Sequence, residues 1–578
     1  MIQVQNLAKS YGSRLLFEEV TFSVNRGERI GLVGRNGSGK STLLKVILGE
    51  EGYDSGEVQI PKGYLIGSLQ QYFDWSEATI VDECLVVLPE NEKHERYRAE
   101  KILSGLGFST EDLSRAASEF SGGYQLRINL AKVILSEPHM IFLDEPTNYL
   151  DIVSVRWLQG FLKTFAGEAI IITHDRSFMD SVCTHVMGLN RGKVKKVSGR
   201  TKDYYEQLLL EDEIYEKTKA NQEKKVKEIQ QFVDRFKAKA SKAKQAQSRL
   251  KQLEKMDLLE DRSDESVLNL RFQYKETHAK FLLKVENLCF AYPNQSPMPI
   301  KDLSFSMAVN DRIGIVGKNG KGKSTLLNLL ANELKPIKGD IQWQNSALCA
   351  HFGQTNILRL HLENTIEQEI QISNPELATA QVRAICGAML FSGDDALKKI
   401  KLLSGGERSR VLLGKVMAKP SNVLLLDEPT NHLDMESIDE LSAQLNEYPG
   451  AVIFVSHSED FLKQHAKNLI YFTEQKVEYF LGGYQDFLRK VGWEGEAKKE
   501  KKPKKEKNKV VKTEVKNNFS QKIESEIEKL EEQLQTVNDQ LIEASQQGNA
   551  EKIALYSKQL NQLEEQISQQ YQKLFEDA

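Results

Sequence analysis

The chain alternates short apolar runs with longer stretches of helical periodicity. Arg29-Ile30-Gly31-Leu32-Val33, His139-Met140-Ile141-Phe142-Leu143 and Ala169-Ile170-Ile171-Ile172-Thr173 have no polar face in their interiors. Such runs predict strands covered on both sides, as in a mainly parallel sheet between helices. Tyr64-Leu65-Ile66-Gly67-Ser68-Leu69 reads the same way, and Thr42-Leu43-Leu44-Lys45-Val46-Ile47-Leu48 predicts a helix. Met1 to Leu7 alternates like a half-exposed strand. A second series begins at Arg312-Ile313-Gly314-Ile315-Val316. The expected fold class is α/β.

Between the first buried strand and its helix lies Gly34-Arg35-Asn36-Gly37-Ser38-Gly39-Lys40-Ser41, which fits G-x-x-x-x-G-K-[ST] in full and runs on into Thr42. Glycines let backbone N–H groups turn inward and the helix N-terminus adds partial positive charge. Lys40 reaches the outer phosphates of a nucleotide, and Ser41 can ligate Mg2+. The motif recurs as Gly317-Lys318-Asn319-Gly320-Lys321-Gly322-Lys323-Ser324, followed by Thr325. Lys40 and Lys323 stand 283 residues apart. The same offset carries Gln71 onto Gln354, Ser121-Gly122-Gly123 onto Ser404-Gly405-Gly406, Asp144-Glu145 onto Asp427-Glu428, and His174 onto His457. Landmarks sharing one offset mean two copies of one nucleotide-binding domain.

Each predicted strand delivers chemistry at its end. Asp144 is expected to hold Mg2+ through water, and Glu145 to polarise an attacking water as general base. Asp427 and Glu428 repeat the pair. His174 and His457 are placed to contact a terminal phosphate, and the side-chain carbonyls of Gln71 and Gln354 could ligate Mg2+ or orient water. Tyr11 and Tyr292 end the first strand of each copy, where a ring could stack on a nucleotide base or simply pack.

At 578 residues, with 40% apolar and 28% charged content, the chain has the composition of a soluble globular protein with ample material for two cores. Five scattered cysteines without C-x-x-C spacing predict neither a disulfide framework nor a metal centre, but buried thiols in a reducing compartment. The chain shows no signal-peptide pattern and no stretch of eighteen apolar residues, so a cytoplasmic protein is expected. A net charge of −4 conceals two basic segments.

Ser-Gly-Gly ahead of a helix, in Glu119 to Arg127 and again in Leu402 to Arg410, resembles the signature of the ATP-binding-cassette superfamily. With the cradle, the Gln, the acidic pair, the Asn-x-Leu-Asp after it and the His, the full set occurs in order in both halves. The resemblance implies two cassettes closing head to tail on two ATP molecules. One site would combine Lys40, Ser41, Gln71, Asp144, Glu145 and His174 with Ser404 to Gly406. The other would combine Lys323, Ser324, Gln354, Asp427, Glu428 and His457 with Ser121 to Gly123. Both sites are expected to hydrolyse ATP, at rates that need not be equal.

Residues 217 to 255 carry thirteen Lys or Arg against four acids, without Gly or Pro, which predicts two long helices turning near Ala238 to Lys242. Such a hairpin is either a solvated spacer or an RNA-contacting spike. Phe232, Arg235, Phe236, Lys237, Lys239, Lys242, Lys244 and Arg249 resemble the interdomain motif of the ABC-F proteins, which carry two cassettes and no membrane domain. The nearest branch is the bacterial housekeeping group of YheS-like and Uup-like proteins. That resemblance implies binding to the ribosome, with the hairpin near P-site tRNA and the peptidyl-transferase region. The interval from Gln71 to Ser121 equals that from Gln354 to Ser404, so the arm that some family members insert there is not expected.

Lys498 to Lys516 holds ten lysines against three acids and predicts a flexible linker. Ile523, Ile527, Leu530, Leu534, Val537 and Leu541, then Ile553, Tyr556, Leu560, Leu563 and Ile567, predict an antiparallel coiled coil folding back near Gly548. In Uup-like relatives such tails bind nucleic acid, so DNA or RNA is a possible partner. The expected organisation is a first cassette over 1–203, a helical hairpin over 204–280, a second cassette over 281–490, a basic linker over 491–519 and a coiled coil over 520–578. The expected protein is a monomeric ATPase of the ABC-F type, using ATP and Mg2+, that binds ribosomes when closed and leaves after hydrolysis. An ATP-gated DNA-binding protein and a transporter's ATP-binding subunit stay open as alternatives.

Overall fold

The computed structural model describes residues 2–12, 14–69, 75–236, 268–292, 298–353, 360–431, 433–473 and 476–493, with residues 537 and 559. Residues 1–495 form one compact unit. The expected coiled coil falls in a second unit, 496–578, and lies outside the described residues apart from those two positions.

The apolar runs of the first cassette become the strands of one twisted sheet. β3 (Arg29–Val33) lies between β7 (Glu168–Ile172) and β8 (His185–Asn190), in the order β5-β6-β7-β3-β8-β9 with β5 (Ile66–Ser68), β6 (Met140–Asp144) and β9 (Lys193–Ser198). All neighbours are parallel except β8 and β9. The strand expected over Tyr64 to Leu69 shortens to β5, because it is an edge strand that pairs on one side only. A smaller antiparallel sheet, β2-β1-β4, is made by β1 (Ile2–Tyr11), β2 (Arg14–Val24) and β4 (Ser55–Gln59).

The period of two explains why these runs are apolar throughout. Ile170 and Ile172 face a core shared with β1, β2 and α1 (Lys40–Leu48). Ala169 and Ile171 face the opposite core, with α2 (Ile80–Leu85), α3 (Arg96–Gly105), α4 (Gly122–Leu135) and α5 (Ile152–Thr164). α6 (Arg176–Val182) closes the second layer with Phe178 and Val182. α7 (Thr201–Phe236) leaves the cassette as a continuous helix, rooted by the buried Tyr204.

The second cassette repeats the plan. β10 (Phe281–Phe290), β11 (Ile300–Ala308) and β13 (Lys338–Trp343) form the small sheet. The large sheet runs β14-β15-β16-β12-β17-β18, from β12 (Arg312–Gly317), β14 (Cys349–Phe352), β15 (Val423–Asp427), β16 (Ala451–Val455), β17 (Asn468–Phe472) and β18 (Val477–Phe480). Its helices are α8 (Lys323–Leu330), α9 (Ile366–Gln371), α10 (Thr379–Ala388), α11 (Gly405–Ala418), α12 (Met435–Glu447), α13 (Glu459–His465) and α14 (Tyr484–Lys490). Among the described residues, the interval before each signature holds two corresponding helices, α2 and α3 in one copy and α9 and α10 in the other.

The chain just ahead of β10 packs on this cassette as an extended strap. Leu268, Leu270 and Phe272 enter its core, and Ser421 exchanges backbone hydrogen bonds with Gln273 and Lys275. The cysteines are unpaired thiols, but only Cys84 and Cys386 are buried, while Cys183, Cys289 and Cys349 are half-buried on strand or helix ends. No described helix is long and apolar enough to cross a membrane.

Candidate functional site

β3 ends at Val33, and the chain turns through Gly34 at φ 147° into the cradle. A Cβ on Gly34 would lie 2.6 Å from the Leu189 carbonyl oxygen, so the turn admits glycine alone. Gly39, at φ 101°, then starts α1. Lys40 Nζ donates to the carbonyls of Gly34 and Arg35 at 2.6 and 2.8 Å, spanning the loop from inside. The second cradle repeats this, with Gly317 at φ 152° and Lys323 Nζ donating to Gly317 and Lys318, both at 3.0 Å. Burial pushes both lysines below the usual amine range, opposed by Glu145, Asp434 and Asp144 around Lys40 and by Glu428, Asp151 and Asp427 around Lys323.

β6 and β15 deliver the acidic pairs. Asp144 pairs with Ile172 and Asp427 with Val455 at the ends of their strands. Glu145 and Glu428 sit one residue beyond, at φ 49° and 50°, a left-handed backbone that is uncommon outside glycine. Conformations of this kind cluster at functional sites, where the surrounding fold imposes them. Glu145 Oε1 lies 3.2 Å from His174 Nε2, and Glu428 Oε1 lies 3.3 Å from His457 Nε2. Burial, reinforced by Asp144, pushes the Glu145 carboxyl up to about 8. Glu428 is raised by burial and by Asp427, and His457 is held well below the usual imidazole range by burial and by Lys323.

The copies differ in detail. Asp427 is buried, raised by burial and eased by a hydrogen bond with Ser324, whereas Asp144 is exposed. Ser121 and Ser404 are the N-caps of α4 and α11; Ser404 accepts the Glu407 N–H in a complete capping box, whereas Ser121 makes no side-chain cap. Tyr292 approaches the second cradle, its hydroxyl 3.1 Å from Thr325 Oγ1. Tyr11 instead lies beneath Lys9, whose Nζ is 4.7 Å from the ring centroid.

The two sites are completed across the cassettes. Asp151, which caps α5, accepts the Asn319 N–H of the second cradle at 3.2 Å. Asp434, which caps α12, accepts the Asn36 N–H of the first at 3.5 Å. Arg127 on the first signature helix ion-pairs with Asp151 at 3.5 Å, both nearly fully buried. Arg410, its counterpart on α11, acts electrostatically on Asp434. Each signature helix therefore addresses the opposite cradle through an Arg and an Asp. A cavity of about 130 Å³ between the cassettes is lined by both Glu–His pairs, with Asn148, Arg176, Asn431 and Asp439.

The structure thus brings together the cradles, both acidic pairs and both histidines. Gln71, Gln354, Lys237, Lys239, Lys242, Lys244 and Arg249 lie outside the described residues, as do the side chains of Phe232, Arg235 and Phe236. Asp151, Asp434, Arg127 and Arg410 were not singled out by sequence as site residues. The common offset relating both pairs was the signal that could have found them.

The donor set suits a nucleotide triphosphate with a divalent cation. Among the described residues, Asp427 Oδ1 is a buried acceptor without a hydrogen-bond donor and Glu145 Oε1 and Glu428 Oε1 face a histidine ring nitrogen without a well-formed hydrogen bond, the condition a hydrated cation or an ordered water relieves.

The family model described as ABC transporter matches residues 17–148 and again 300–431, and a second model of the same description matches 187–272. YdiF of Bacillus subtilis, described as an ATP-binding protein, is 35% identical over 532 residues, covering 85% of this chain and 83% of that one. ABC transporter F family member 5 of Arabidopsis thaliana is 32% identical over 539 residues, covering 85% and 77%. Among solved structures, a model of ribosome-bound archaeal Pelota and ABCE1 contains a chain with the same fold. It has a TM-score of 0.56 and 19% identity, covering 84% of this chain and 80% of that one.

Proposed function

The chain belongs to the ABC-F family of the ATP-binding-cassette superfamily and is an ATPase, and from that premise we propose that it is an ATP-gated, ribosome-binding factor. ATP closes the cassettes on each other, the closed form places the connector that begins with α7 against ribosomal RNA near P-site tRNA, and hydrolysis releases the protein. The observation that carries this reading is the crosswise completion of each cradle by the other cassette, Asn319 with Asp151 and Asn36 with Asp434, because it makes nucleotide occupancy and cassette closure one event. The fold shared with a ribosome-bound ABCE1, the F-family relatives and the net basic connector sequence all support the ribosome as partner.

In each site the cradle N–H groups and Lys40 or Lys323 bind phosphate oxygens, while Ser41 or Ser324 with Asp144 or Asp427 would hold Mg2+. Mg2+ held there would supply positive charge against the phosphate oxygens. Glu145 and Glu428 accept the proton of the attacking water. Burial, with the Asp144 charge beside it, raises the affinity of the Glu145 carboxyl for a proton, which strengthens it as a base. His174 and His457, each facing its Glu, orient that carboxylate and the terminal phosphate. Gln71 and Gln354 would add a ligand to that cation or orient the water.

The test is the double variant Glu145→Gln with Glu428→Gln. It should bind ATP, fail to turn over and sediment with ribosomes. Sedimentation as free protein, or with duplex DNA in place of ribosomes, would reject the ribosomal reading.

A further inference from the structure

The duplication exposes a charge pattern at the cassette interface. The 283-residue offset carries Arg156 of α5 onto Asp439 of α12, and Arg176 of α6 onto Glu459 of α13. In space the four meet crosswise. The Arg156 guanidinium pairs with Glu459 Oε1, and Arg176 donates to Asp439 Oδ2 at 2.6 Å. These are one contact seen from the two sides of the pseudo-twofold relation. The first cassette supplies both cations and the second both anions.

We propose that this reversal of sign is a pairing code, by which the first cassette accepts the second and rejects another copy of itself. Two first cassettes joined in the same way would set Arg156 against Arg176 twice. Two second cassettes would set Asp439 against Glu459 twice. Opposite charges at such positions add little affinity, but like charges brought together there discriminate strongly. Arg156 and Glu459 are only 23% and 20% exposed, so water screens their contact incompletely. For the first cassette alone, a third pair acts in the same direction. Arg35 meets Glu436 at 2.6 Å, whereas the residue related to Glu436 in the first cassette is Val153, which offers Arg35 no carboxylate. The partner that fits this surface is therefore the other half of the chain. The code steers closure within one molecule and disfavours like-with-like assembly between molecules. The inference rests on the two-cassette sandwich and not on the ribosome as partner.

The experiment uses the full chain with Glu145→Gln and Glu428→Gln, and reads ATP-induced compaction by energy transfer between dyes on the two cassettes. One variant carries Arg156→Glu and Arg176→Glu, a second carries Asp439→Arg and Glu459→Arg, and a third carries all four. Each half-set should bind a fluorescent ATP analogue but need at least ~10-fold more ATP to compact. The fourfold set should return to within about threefold of the unswapped chain. Half-sets that compact normally, or a folded fourfold set no better than either half, would overturn the code. Should a half-set fail to fold, recovery of folding and compaction in the fourfold set still supports the code, and failure there still overturns it. Loss of analogue binding in every variant, the unswapped chain included, would instead count against the ATP-gated reading itself.

Discussion

The Tyr205 hydroxyl donates to the Met435 sulfur at 3.7 Å, joining the first turns of α7 to the residue after Asp434. Met435 shares a core cluster with Val33, Met179, Val186, Val197 and Tyr204, so the helix that begins at the first cradle's partner Asp is packed into the root of the connector. If ATP closes the cassettes as proposed, this contact would carry the movement into the root of α7. Tyr205→Ala should leave ATP binding within about twofold, yet weaken the ATP-dependent change in energy transfer between α7 and the second cassette. A transfer signal identical to that of the parent chain would disprove the link.

The same root constrains β8. A Cβ on Gly188 would fall 1.7 Å from the Tyr204 hydroxyl oxygen, far inside any real contact. Gly188→Ala should therefore displace Tyr204 and cost about 1–3 kcal/mol in denaturant unfolding, as overpacking does. Adding Tyr204→Leu, which vacates the ring's space, should recover part of that loss.

The two aspartates that reach across the interface are not equivalent. Asp151 accepts from Ser154 and Asn319 and pairs with Arg127 in a nearly solvent-free setting. Burial alone would raise its carboxyl, but Arg127 and those N–H donors hold it below the usual range. Asp151→Ala would strand the Arg127 charge and should cost about 3–5 kcal/mol. Asp434→Ala mainly loses the cap on α12, worth ~1 kcal/mol. Urea titrations of the two variants should separate clearly.

Acid should destabilise the second cassette through His465. Burial, with Arg312 nearby, pushes this imidazole down from 6.5 to about 4. Its ring packs on Phe461 at 4.6 Å, and Ser442 Oγ lies 2.6 Å from Nε2. The folded pKa is below the unfolded one, so the unfolded chain binds more protons between these values. The stability is present above pH 6.5 and is lost as pH falls through that window toward 4. His465→Gln should flatten the fall by about 1–3 kcal/mol between pH 7 and 4.5, read from urea midpoints.

Replacing Arg235, Lys237, Lys239, Lys242 and Lys244 by Ala should weaken ribosome binding and reduce the log–log salt slope by about 0.7–0.9 per lost phosphate contact. An unchanged slope would make the connector a spacer.

Much of the cassette plan was legible because strands buried on both faces leave a pattern few other structures produce. Ile170, Ile171 and Ile172 read as a covered strand before any neighbour was known, and they face two different cores. The glycines of the cradle were equally readable, since only glycine accepts the backbone at Gly34. Tyr11 and Tyr292 looked like equivalents, yet Tyr292 meets Thr325 beside its cradle and Tyr11 meets Lys9. Local pattern reports what a residue can do, and its neighbours decide what it does.

The linear chain by itself determined two nucleotide cassettes, their phosphate loops, their acidic strand ends and their order, because each depends on backbone geometry and side-chain types within a few residues. Only the tertiary structure decided that Asp151 and Asp434 reach the opposite cradles, that Arg156 meets Glu459 and Arg176 meets Asp439, and that Met435 joins the root of α7. Those contacts span more than a hundred residues of chain, and no periodicity records them. They exist because two similar surfaces pack against each other in one geometry, and packing of that kind is a property of the assembled fold.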